Sequence, residues 1–278
     1  ISSFQNIRSA RLILALRNTR KARKLIPDIF PFFACFVFFV VAPLPARPDK
    51  LARRISLRHC GRLVEMSDAR TTPTDHDLLK QARAIHDRVL VLDSHIDFEP
   101  EDLTGERNYT QRLPTQFNLP NMIDGGLDAL FFVIYVGQTR ESQNPDALKA
   151  AGYRRAYQAA VEKFAAVHRF AGEIATERIE IALSAADLRR IHANGKKAAL
   201  MGVENGYPLG EDLCCVEEFY KRGARYLSLT HNGHNQLGDS HTGEREGWKW
   251  QGVSPLGEQV VAEMNRLGIM VDISHASK

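Results

Sequence analysis

The chain has 278 residues, 44% of them hydrophobic and 25% charged, which suits one globular domain with a core of ordinary size. Its net charge of +4 is local: residues 1–65 carry 13 Lys+Arg against 3 acidic residues, and the remainder carries 24 against 30. No basic stripe is left in the body once the leader is set aside, so nucleic-acid binding is excluded as its function.

The leader, residues 1–65, supports two readings. The basic segment 17–24 (RNTRKARK) precedes the apolar run 29–42 and then P-L-P-A, which resembles the three regions of a secretory signal and implies export to a periplasm or membrane. Against this, the chain starts with Ile, has no Met before Met66, and its regular pattern begins only after the acidic, Thr/Pro-containing stretch 66–77. A start at Met66 would make the protein cytoplasmic. With about 14 residues and Pro31 inside it, the apolar run falls short of the roughly 20 needed to span a bilayer. Of the cysteines, Cys35 and Cys60 lie in the leader, and Cys214 and Cys215 are adjacent on a predicted helix, so the body, residues 66–278, does not depend on disulfides.

Residues 75–88 predict a helix and 89–92 (VLVL) a strand, followed by Ser94-His95-Ile96-Asp97. The segment 99–120 has no clear period and is expected to be a long loop over the active face. A near-continuous apolar run over 126–136 suits a strand buried on both faces, and 145–170 carries the apolar stripe of a long helix. From there the punctuation repeats. Ser184 and Asp187 form a capping-box-like start, Gly195 a stop, and the strand 198–203 ends at Glu204. A helix over 212–222 stops at Gly223, and the strand 225–230 leads to His231. Ser254-Pro255 opens a helix to Leu267, Gly268 stops it, and the strand 269–273 leads to His275. Such alternation predicts right-handed crossovers and a parallel sheet covered by helices.

Four apolar strands therefore end at residues able to bind a divalent metal, and the carboxyl ends of parallel strands are where barrel active sites lie. His95 and Asp97, two apart in an extended segment, point to one side about 7 Å from each other and can converge on one ion. Glu204 could bridge two cations, one oxygen on each, or cap a helix; His275 is well placed as a ligand. For His231 the spacing leaves open whether it binds metal or substrate. His234 and His241, among interleaved Asn and Gly, are expected on a flexible surface loop. The fold class that follows is an α/β barrel of a metal-dependent enzyme, with five strands near 89, 127, 198, 225 and 269.

The stretches L-D-S-H-I-D (92–97), G-V-E-N-G (202–206), R-Y-L-S-L-T-H-N (225–232) and the long run from Gly252 to His275 together resemble the membrane (renal) dipeptidase family of zinc peptidases. The resemblance covers 89–278. It implies a distorted (β/α)8 barrel of the TIM type, of the metal-dependent hydrolase kind, with two zinc ions that hydrolyses dipeptides, including those with a C-terminal D-residue, by means of a metal-bridged hydroxide. By the same resemblance His95 and Asp97 bind the first zinc, Glu204 bridges both, His275 binds the second, and His231 contacts substrate and polarises its carbonyl. Asn205 stands where the family usually has a second glycine. About three strand-helix units are absent, and in the family these bring a further histidine for the second zinc, an arginine for the substrate carboxylate and an acidic residue for proton transfer. As it stands the chain is expected to be inactive, with open sheet edges that favour aggregation. The competing functions are another amidohydrolase-like activity on the same metal pair, such as lactone or D-amino-acid amide hydrolysis, and a shortened non-catalytic relative. A dipeptide is the expected partner, and a homodimer is left open.

Overall fold

The computed structural model describes residues 74–139, 141 and 143–278. The leader, the Met66 start and two of the four cysteines lie outside the described residues. Two compact units are distinguished, 37–89 and one containing 90–278. In the first, the described part is the helix α1 (Asp75–His86), opened by a capping box in which the Thr74 hydroxyl accepts the Asp77 N–H and the Asp77 carboxylate accepts the Thr74 N–H. Among the described residues no helix is long and apolar enough to cross a membrane.

The second unit is a parallel half-barrel. In chain order it contains β1 (Leu92–Ile96), α2 (Leu119–Gly125), β2 (Ala129–Tyr135), α3 (Ala150–Arg169), β3 (Ile179–Ile181), α4 (Ala185–Ala193), β4 (Lys197–Glu204), α5 (Cys214–Lys221), β5 (Ala224–Ser228), α6 (Pro255–Leu267) and β6 (Met270–Asp272). The sheet order is β1-β2-β4-β5-β6, every pair is parallel, and β3 pairs off this path with the start of β4. Expected starts and stops recur at the helix ends. Ser184 and Ser254 accept N–H groups from Asp187 and Gly257, and Gly268, left-handed at φ 81°, ends α6.

Four features differ from expectation, the first being the helix α2, which falls between the expected loop 99–120 and the expected strand 126–136. The three-residue β3 was not anticipated, because Ile179-Glu180-Ile181 is too short to show a period. β1 is 92–96 rather than 89–92: Leu92 is level with Ala129, the first residue of β2, and of the residues before it Val91 meets this edge, its carbonyl accepting the Asp128 and Ala129 N–H groups. His95 is thus inside the strand, at an irregularity between Asp93 and Ile96 where its N–H is taken by the Asp93 carboxylate (2.9 Å), the kind of bulge that re-aims a side chain. The segment 99–120 is the long loop expected, but it is packed into the core. It holds a 3-10 turn (Pro100–Asp102) and buries Leu103, Tyr109, Phe117 and Leu119. Tyr109 and Phe117 pack edge-on at 5.1 Å, and both rings, with Phe98 and Phe170, surround Phe132 of β2.

Strand alternation divides the sheet into two buried faces. Leu130, Phe132 and Ile134 of β2 and Ala199, Met201 and Val203 of β4 join Phe164, Val167, Phe219, Val260 and Met264 of the helices in the main core. The other face carries Ala129 and Phe131 of β2, Ala198 and Leu200 of β4, and Tyr226 of β5. By the same alternation Gly202 and Glu204 belong to this second face, with Glu204 level with Tyr135. Gly202 has a steric reason: a Cβ there would lie 2.0 Å from the Tyr226 ring, which crosses it.

Candidate metal centre

The sheet gathers all five candidate residues at one end, each at or just beyond the carboxyl end of a strand. His95 lies in β1 and Asp97 one residue past it, Glu204 closes β4, His231 lies three residues after β5, and His275 three after β6. Glu204 is at the centre, its side chain only 7% exposed. Its Oε2 faces His95 Nε2 at 3.6 Å, and its Oε1 faces His275 Nε2 at 3.0 Å and His231 Nε2 at 3.4 Å. Asp97 Oδ1 is 3.8 Å from His95 Nε2. The result is two trios sharing one carboxylate, His95–Asp97–Glu204 and Glu204–His231–His275, with the ligand atoms of each trio within 4.8 Å of one another.

These spacings suit a metal. Two N or O ligands at about 2.0–2.1 Å from a tetrahedral zinc lie roughly 3.3–3.4 Å apart. The 3.4 and 3.6 Å separations are near that value, and only the His275–Glu204 contact is short enough to be a direct hydrogen bond. Imidazole and carboxylate are also the donors that zinc accepts.

The electrostatics favour a charged carboxylate. Burial works to raise the Glu204 pKa, but the hydrogen bond from His275 and the proximity of His95 and His231 outweigh it and hold the group below its ordinary range. His275 moves up, through its hydrogen bond to Glu204 and against the effect of burial. Burial moves His231 down despite Glu204, which favours its neutral form. The Tyr135 ring lies 4.6 Å from the His231 ring, and the His275 ring 4.1 Å on from that.

The segment after His231 corrects the expectation of a flexible surface loop. Asn235, Gln236, Leu237, Asp239 and Ser240 are buried. His234 accepts the Ser240 N–H at Nδ1 (3.0 Å) and lies beside the Asp239 carboxylate (3.1 Å). Asp239, enclosed, accepts N–H groups from Lys249 (2.9 Å), Trp250 (2.9 Å) and Gly252 (3.1 Å). The His231 carbonyl accepts from Ser240 Oγ and Thr242 Oγ1, so the backbone that carries the imidazole is pinned. His241 is exposed and stacks on His275 at 5.9 Å, and neither His234 nor His241 joins a trio. Asp239 was missed by sequence reasoning; the only signal was a carboxylate among residues able to turn the chain.

Residues 79–278 match the family model described as membrane dipeptidase, peptidase family M19. The chain belongs to the membrane dipeptidase family. Dipeptidase tcpJ of Claviceps purpurea (strain 20.1) is 31% identical over 202 residues, covering 72% of this chain and 45% of the relative. Dipeptidase 3 of Mus musculus is 34% identical over 173 residues, covering 62% and 31%. The chain thus spans less than half the length of these relatives. Among solved structures, the probable dipeptidase PvdM from Pseudomonas aeruginosa matches with a TM-score of 0.65 at 25% identity, over 74% of this chain and 51% of that one. A metallopeptidase from Rhodobacter sphaeroides, liganded with a phosphinate mimic of the dipeptide L-Ala-D-Ala, matches with a TM-score of 0.55 at 25% identity, over 68% and 60%. Membership of this family of metallopeptidases implies metal dependence, and the two trios are the donor sets available for it among the described residues.

Proposed function

We propose that this chain carries the two-metal half of a dipeptidase site. In this reading His95, Asp97 and Glu204 hold one zinc ion, Glu204 and His275 hold a second, and His231 faces the substrate. The observation that carries it is the division of labour at Glu204, where one oxygen is directed to His95 and the other to His275 and His231. A pair of cations held in this way supplies Lewis-acid polarisation of the scissile carbonyl and an acidified water.

The chain's own residues supply the rest. Glu204, ionised and buried, sets the charge of the centre. His231, favoured neutral, has a proton to donate from Nε2 to a carbonyl oxygen that gains charge, a contribution of about 3 kcal/mol when such a donor is aligned. Tyr135 against its ring restricts rotation. The dipeptide mimic bound by the Rhodobacter sphaeroides relative supports dipeptides, including those with a C-terminal D-residue, as the substrate class.

One observation favours a second role for His231. It falls in the same trio as Glu204 and His275, as a third ligand of the second ion would. Zinc content of His231→Ala separates the roles: unchanged content supports substrate contact, and loss of one equivalent supports ligation.

The test of the whole is zinc binding by the chain, followed by a hydrolysis panel of L,L and L,D dipeptides, N-acyl amino acids and lactones. Zinc binding with dipeptide turnover supports the proposal, and turnover of lactones or N-acyl amino acids alone redirects it to another amidohydrolase-like activity. Zinc binding without turnover supports the metal centre and counts against dipeptide hydrolysis by this chain. No zinc binding overturns it.

A further inference from the structure

The residue after Glu204 is constrained in both backbone and side chain. Asn205 has φ 75°, a left-handed conformation shared among the described non-glycine residues only with Gln251, and Gln251 is exposed whereas Asn205 is fully buried. Glycine would satisfy that backbone at no steric cost, so the turn alone does not require an amide.

The amide is fully used. Its Nδ2 donates to the Val136 carbonyl (3.0 Å) and to Gln138 Oε1 (3.2 Å), just past the end of β2. Its Oδ1 accepts from Asn235 Nδ2 (3.0 Å) and from the Tyr207 N–H (3.4 Å). Two donors and two lone pairs are the whole capacity of an asparagine side chain. The Asn205 N–H donates to Ser228 Oγ of β5 (2.8 Å). The partners continue the connection. Asn235 also donates to the Leu229 carbonyl (2.8 Å), Gln138 Nε2 donates to the His234 carbonyl (2.8 Å), and Asn232 Nδ2 donates to the Gln138 carbonyl (2.7 Å).

The carboxyl ends of β2, β4 and β5 are therefore fastened at one buried amide, which is covalently next to Glu204. The same network holds residues 229, 232, 234 and 235, on both sides of His231. We infer that Asn205 is the positioning residue of this centre, fixing the backbone that carries the Glu204 carboxylate, the ligand both ions would share, against the segment that bears His231. This rests on the metal-centre reading above. A buried polar network that is fully satisfied specifies one arrangement; groups bonded directly to metal ligands typically govern affinity by about 10–100-fold, and that range sets the scale for an amide that acts one step further back, through the Glu204 backbone.

The test is a cobalt(II) titration of the full chain followed by visible absorption, with far-ultraviolet circular dichroism as the check on folding. Asn205→Gly keeps the turn and removes the amide; Asn205→Asp keeps shape and replaces both donors with acceptors. Both variants are expected to stay folded, to bind cobalt about 10–100-fold more weakly than the parent, and to show an altered d–d band. A merely structural asparagine would lower the melting temperature and leave the band of the folded protein unchanged. If the parent binds cobalt and Asn205→Gly matches it in affinity and spectrum, the inference is overturned and the metal centre stands. If the parent shows no cobalt band, both fall. Should Asn205→Gly not fold, Asn235→Ala, which removes the contact to Asn205 Oδ1 together with the Asn235 side-chain bonds to Leu229, Leu237 and Gly238 and leaves the Asn205 turn alone, is read by the same band; an unchanged band there refutes the inference.

Discussion

Gly202→Ala tests whether the inner face of the sheet is packed as described. The new Cβ would sit 2.0, 2.1 and 2.5 Å from three atoms of the Tyr226 ring, where ordinary contact begins at 3.4 Å. The ring must therefore retreat by about 1.4 Å, the difference between 3.4 and 2.0 Å. It has little room, being 3% exposed and 5.1 Å from the Phe131 ring. Overpacking of this kind costs about 1–3 kcal/mol, and the boxed-in ring places this case near the top, about 3 kcal/mol. That is a large share of the roughly 5–15 kcal/mol that holds a domain together. Urea unfolding of Gly202→Ala, Tyr226→Ala and the double variant measures it. Tyr226→Ala alone costs about 3–5 kcal/mol by analogy with other large-to-small changes, and the double variant should be more stable than the sum of the two predicts, by about 2 kcal/mol. A Gly202→Ala protein within about 0.5 kcal/mol of the parent, a difference typical of neutral surface changes, would refute the reasoning, as would strict additivity.

Other perturbations address separate parts of the account. Phe132→Ala removes a fully buried ring held among Phe98, Tyr109, Phe117 and Phe170 and should cost about 4 kcal/mol in urea unfolding; a loss under about 1 kcal/mol would show that 99–120 does not pack as described. Asp187→Asn probes the start of α4. The Ser184 hydroxyl, and then Arg190, hold the Asp187 carboxyl below its ordinary range. A depressed folded value means that its contribution is present above the unfolded value near 4 and lost as pH falls through the lowered one, so the stability gap between parent and variant should close below about pH 4. A gap independent of pH would contradict this. His231→Ala is expected to lower turnover about 10²–10³-fold in any form of the protein that turns over, with zinc content unchanged.

Much of the candidate site was legible because each candidate ligand follows an apolar run. Glu204 comes after six consecutive buried residues of β4, and the sheet's parallel order then brings it to the same end as His95 and His275. The helix termini were legible for a local reason, since Ser184, Ser254 and Gly268 act on their own first or last turn. What escaped depends on partners distant in sequence. β1 was displaced because its first usable partner is Ala129, which no local pattern reveals. The segment 99–120 is the loop expected, but its aromatic residues follow no period, so nothing local shows that they meet around Phe132. The run after His231 read as flexible because Asn, Gly and Gln suggest turns; here the Asn and Gln side chains bind backbone groups up to 94 positions away, and Asn235 and Gln236 are buried. Asn205, noted in the sequence only as standing where the family usually has glycine, joins that network for the same reason.

The central claim is that one carboxylate organises two metal positions, and the measurement that tests it most directly is zinc content. Parent chain and Glu204→Ala would be dialysed against limiting free zinc and analysed by plasma emission, with circular dichroism confirming that both are folded. The account predicts two zinc equivalents in the parent and near-complete loss of both in the folded variant, because each trio loses its shared member. Two equivalents retained by Glu204→Ala would contradict it.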